Sequence, residues 1–62
     1  MNFIKREELP QILQNFLNDN SISQTELARM LNVPKQTVNN WLKGRAMPSY
    51  DRAIRLMEMM EE

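Results

Sequence analysis

With 62 residues, the chain is one domain at most, and its hydrophobic core has to be small. It holds no cysteine, no histidine and a single glycine, which excludes disulfide staples, thiolate or imidazole metal sites, an imidazole general base and a glycine-rich phosphate loop. The formal net charge is zero, no apolar run approaches the roughly 20 residues of a membrane-spanning helix, and the N-terminus lacks the basic-then-apolar layout of a secretory signal.

Four short amphipathic segments follow one another. The first places Leu9, Ile12, Leu13, Phe16 and Leu17 at helical spacing. Pro10 falls near its start, where a missing N–H is harmless, so the helix is expected to begin at Arg6 or Glu7 and to run over 6–18. Asn18, Asp19, Asn20 and Ser21 stop it, because such side chains compete for backbone hydrogen bonds and tolerate turn geometry. The second segment opens on Ser23-Gln24-Thr25-Glu26, a capping box in which Ser23 accepts from an orphan N–H and Glu26 reaches back to the N–H of Ser23. Ile22 is placed to staple onto Leu27. The predicted helix covers 24–31, with Leu27, Ala28, Met30 and Leu31 on its buried side.

Asn32-Val33-Pro34 breaks the chain again. Asn tolerates a left-handed position, and proline cannot continue a helix but can begin one. A third helix is therefore expected over 35–42, with Val38, Trp41 and Leu42 as its apolar stripe and Gly44 just past its end. Trp41 belongs to that stripe, so it reads as core rather than as a stacking platform for bases. Thr37 reads as structural, facing the second helix. Pro48-Ser49 begins a fourth helix over 50–60, with Ser49 as N-cap and Asp51 in the first turn. Tyr50, Ala53, Ile54, Met57 and Met60 are its expected inner face. Two helices joined by a turn of a few residues make a helix-turn-helix unit, and no stretch alternates as a strand would. The fold class predicted is all-α, a small bundle of four helices, or five, around that unit.

Charge is unevenly distributed along this frame. Residues 29–55 carry Arg29, Lys35, Lys43, Arg45, Arg52 and Arg55 against Asp51, a balance of +5. Residues 1–28 set Lys5 and Arg6 against Glu7, Glu8, Asp19 and Glu26, and the tail adds Glu58, Glu61 and Glu62. A polyanion would be drawn to the middle and repelled by both ends. On the third helix, Gln36, Asn39, Asn40 and Lys43 project opposite the apolar stripe, with Lys35 on the flank and no acid among them. Gln and Asn match adenine N6 and N7, and Lys matches guanine O6 and N7.

Ser23-Gln24-x-Glu26-Leu27-Ala28, Leu31-Asn32-Val33, Thr37-Val38-x-x-Trp41, Gly44 and Pro48-Ser49 together resemble the Cro and lambda-repressor-like family of bacterial and phage regulators. Asn32 stands where that family usually has glycine, and Pro34 where it often has Ser or Thr. With the flanking helices, the resemblance covers most of the chain. It implies a lambda-repressor-like DNA-binding domain. Lys35, Gln36, Asn39 and Asn40 would contact bases, and Gln24, at a helix N-terminus, would hold a phosphate. Lys43 and Arg45 are placed for the next phosphates.

The function expected is that of a cytoplasmic transcriptional regulator in a bacterial host, a Cro-like repressor of phage type on a near-palindromic operator of double-stranded DNA. No cofactor, metal or small-molecule ligand is expected. Leu56, Met59 and Met60, with Phe3 and Ile4 ahead of the first helix, leave apolar surface for a homodimer. The rival reading is a protein-interaction module on the same fold, of antitoxin or antirepressor type, which the zero net charge favours. An enzyme is not expected, because the carboxylates are scattered and so small a bundle offers little cavity.

Overall fold

A computed structural model describes residues 5–61; Phe3 and Ile4 lie outside them. Four helices follow in order: α1 Leu9–Asn20, α2 Gln24–Leu31, α3 Lys35–Leu42 and α4 Tyr50–Glu61. Among the described residues there is no strand. The bundle measures 27 × 26 × 20 Å.

α1 begins later than its sequence pattern implies. Lys5–Glu8 form a turn that leads into it, whose Lys5 carbonyl accepts from the N–H groups of Glu8 (3.0 Å) and Leu9 (3.1 Å). Pro10 then sits in the first helical turn, where no intrahelical partner exists for an N–H. At the other end the helix runs to Asn20, whose side-chain amide donates back to the Phe16 carbonyl at 2.8 Å. Ser21 then turns left-handed at φ 53°.

The break between α2 and α3 is built from three local devices. Ser23 is extended (φ −83°, ψ 163°), and its Oγ accepts from the Glu26 N–H at 3.0 Å. The Glu26 carboxylate accepts from the Ser23 hydroxyl at 3.3 Å, not from the backbone N–H that a full capping box would use. Asn32 is left-handed (φ 56°, ψ 48°), and the next N–H, of Val33, donates to the Ala28 carbonyl at 2.9 Å. That closure satisfies a terminal carbonyl of α2 and reverses the chain. Pro34, extended at ψ 148°, leads straight into α3. Gly44, at φ 74°, lets the N–H of Arg45 donate to the Asn40 carbonyl at 2.9 Å, which ends α3 in the same way.

α3 packs on both α1 and α2, and α2 packs on α4. The core is Leu9, Leu13, Leu17, Leu27, Ala28, Leu31, Val38, Trp41, Leu56 and Met59, all buried. Ile22 packs partly buried against it. The sequence reading of α4 is corrected here. Leu56 and Met59, expected at a dimer surface, are core residues exposed by 1% and 6%, whereas Tyr50, expected inside, is 68% exposed. Ala53, Ile54 and Met57 are half-buried, and Met60 packs partly against the core. The reason is geometric: Ala53, Ile54, Leu56, Met57, Met59 and Met60 spread apolar side chains over a broad arc opposite Asp51, Arg55 and Glu58, so the pattern leaves the centre of the buried face open. Contact with α2 sets it. Met30, expected on the buried side of α2, is likewise 51% exposed.

Candidate nucleic-acid interface

α3 anchors its position through Val38 and Trp41, exposed by 0% and 2%. Fixing those two residues fixes the opposite side of the helix. Gln36 and Asn40, one turn apart, lie nearly opposite Val38 at about 100° per residue. Gln36 is exposed and Asn40 half-buried, and the Gln36 amide donates to Asn40 Oδ1 at 3.0 Å. The bond uses one hydrogen of Gln36 Nε2 and leaves its Oε1, its second hydrogen and the Asn40 Nδ2 group available. Lys35 and Lys43, both exposed, stand at the two ends of the helix, and the exposed Arg45 follows in the loop.

The environment of these cations favours an anion. No acidic residue occurs from Leu27 to Tyr50, while Arg29, Lys35, Lys43 and Arg45 do. Among the described residues, no carboxylate is within ion-pair distance of Lys35, Lys43 or Arg45. Arg55 differs: it pairs with Glu58 one turn on at 3.9 Å, and both side chains are more than half exposed. Arg52 is half-buried on α4.

Gln24, the first residue of α2, is half-buried beside α3. Its Oε1 accepts from Asn39 Nδ2 at 3.4 Å. Asn39 sits about 100° around α3 from Val38, on the flank rather than on the outermost line that Gln36 and Asn40 define. Sequence spacing grouped Gln36, Asn39, Asn40 and Lys43 together, with Lys35 on the flank. The structure brings Gln36, Asn40 and Lys43 to the outer side, leaves Lys35 and Arg45 exposed at either end of the helix, and ties Asn39 to the start of α2. The Gln36–Asn40 bond had a sequence signal, since amides four apart on a helix are neighbours. The Gln24–Asn39 bond had none, because it spans fifteen residues and two helices.

A second feature involves α4 and the loop before it. An apolar groove of about 210 Å³ is lined by Leu9, Met47, Pro48, Tyr50, Ala53 and Met57, with Leu56 at its base. Among the described residues there is no cluster of acids able to hold a metal, and no helix is long and apolar enough to cross a membrane.

An exposed polar helix, presented by a second helix across a tight left-handed turn and ringed by unpaired cations, defines a helix-turn-helix domain. A family model described as "Helix-turn-helix" matches residues 13–61, and the chain belongs to that family, of the lambda-repressor and Cro-like type. The family is one of DNA-binding transcription regulators. A search of curated proteins and a search of solved structures found no match.

Proposed function

We propose that the chain is a sequence-specific repressor of Cro type, which binds a near-palindromic operator in double-stranded DNA as a homodimer and occludes a promoter. The observation that carries this reading is the outward side of α3. It offers amide donors and acceptors (Gln36, Asn40) and a lysine (Lys35), and it is flanked by the unpaired cations Lys43 and Arg45. α3 is eight residues long, and an α-helix about 10–12 Å across with its side chains fits the roughly 12 Å width of the major groove. In this reading Lys35, Gln36 and Asn40 contact base edges, and Gln24, Lys43 and Arg45 hold phosphates. Its setting would be the cytoplasm of a bacterial host carrying the gene, as in a phage or prophage.

Size and surface support the dimer. Half-sites of a two-fold operator lie about 34 Å apart on one side of the duplex, and the longest dimension here is 27 Å, so two copies fit side by side. The apolar groove beside α4 is the surface offered for their contact, through Tyr50, Ala53 and Met57. Leu56 lines it from the core, and Met59 is buried in the core.

Selection of bound duplexes from a random pool, followed by sedimentation of the protein alone and on the recovered site, tests the proposal. The expected outcome is an enriched near-palindrome and two copies bound. Failure to enrich any sequence would overturn the repressor reading in favour of a protein-binding module. One copy per site would remove the homodimer.

A further inference from the structure

We propose that Asn39 is a positioning residue that contacts no base and acts through Gln24. The inference rests on the DNA-binding reading above and gives a different role to a residue that the family resemblance placed at base edges. Asn39 Nδ2 donates to Gln24 Oε1 at 3.4 Å, with both side chains half-buried between α2 and α3. At that length the bond supplies orientation more than strength.

Orientation is what a primary amide needs. One end of the Gln24 amide accepts and the other donates. With Oε1 turned toward Asn39, Nε2 is the end left for a partner outside the protein, together with the first N–H groups of α2. All of these are donors, and a phosphate is all acceptor. With the amide reversed, Gln24 would point its oxygen at the phosphate and repel it. Asn39 presents its Nδ2, which only donates, so the end of the Gln24 amide that faces it is the oxygen. The same bond draws Asn39 toward α2 and away from the line of Gln36 and Asn40, which are paired with each other. The two amide pairs divide the work: Gln36 with Asn40 for base edges, Gln24 with Asn39 for the backbone.

The test is a double-mutant cycle on DNA affinity, using the selected operator and a random duplex. Asn39→Ala is expected to weaken both DNAs alike, by roughly two- to tenfold, the worth of a typical hydrogen bond. In a Gln24→Ala background it should have no further effect, because the group it orients is gone. Asn39→Leu, similar in size and without a donor, should behave as Asn39→Ala does. It serves where the smaller side chain loosens the fold, with helicity and melting of each variant followed in parallel. A purely structural role would lower the melting temperature and persist in the Gln24→Ala background. Losses that add in the double variant, or a changed base preference at any operator position, would overturn the inference while leaving the DNA-binding reading intact. Failure of the parent protein to bind either DNA would overturn both.

Discussion

Arg45→Ala separates phosphate contact from base contact and also counts the copies bound. The substitution is structurally mild: Arg45 is exposed, and its backbone N–H, which closes α3 on the Asn40 carbonyl, is retained in alanine. Each phosphate neutralised on B-DNA contributes about −0.9 to the slope of log affinity against log salt. Lys43 and Arg45 then supply about −1.8 per copy, and about −3.6 for two copies on one operator. A slope of about −3.6 amounts to about 150-fold in affinity between roughly 50 and roughly 200 mM salt. Without Arg45 the pair retains about −1.8, or about 12-fold over the same range. Further phosphate contacts would steepen both proteins alike and leave the difference at about 1.8 for a dimer or about 0.9 for a single copy. Fluorescence anisotropy on operator and random duplexes across a salt series measures it. An unchanged slope, or a loss confined to the operator, would refute the assignment of Arg45 to phosphate.

Gln36→Ala should cost roughly 1–3 kcal/mol on the selected operator and little on random DNA, read as a change in the ratio of the two affinities; equal losses would count against base reading. Leu56→Ala should destabilise the fold by about 2–5 kcal/mol, seen in a denaturant melt of the free protein, whereas a surface role would shift the association state and leave the melt unchanged. Asn32→Gly should leave stability within a few tenths of a kcal/mol, while Asn32→Val, forced into the left-handed region, should lose about 1–2 kcal/mol or more in the same melt. Met57→Glu, in the apolar groove, should favour single copies in sedimentation without lowering the melting temperature of the free chain.

Local signals accounted for the elements and their order. Ser23 followed by Glu26 marked the start of α2, Asn32 its left-handed end, Pro34 the start of α3 and Gly44 its close, each by a constraint that acts within about four residues. The apolar stripe of α3 was legible because Val38, Trp41 and Leu42 alternate with polar residues, so only one face is available for burial. Where a helix lacks that contrast, the sequence is silent. α4 carries an apolar arc so broad that its buried centre is ambiguous, and its spacing put Tyr50 inside and Leu56 and Met59 outside, the reverse of their observed burial. The start of α1 was missed for a related reason, since Lys5–Glu8 have no apolar spacing to distinguish a turn from a first helical turn.

From the chain alone come four helices, a helix-turn-helix at their centre, and a polar, acid-free outer side on the third. These follow from capping groups, left-handed positions and hydrophobic period, all of which are short-range properties of the polypeptide. Tertiary structure alone decided which side of α4 enters the core, which apolar residues line the exposed groove, and that Asn39 turns to Gln24 instead of outward with Gln36 and Asn40. Those outcomes depend on how helices distant in sequence are set against one another, and a hydrogen bond across fifteen residues exists only once packing has brought its two ends together.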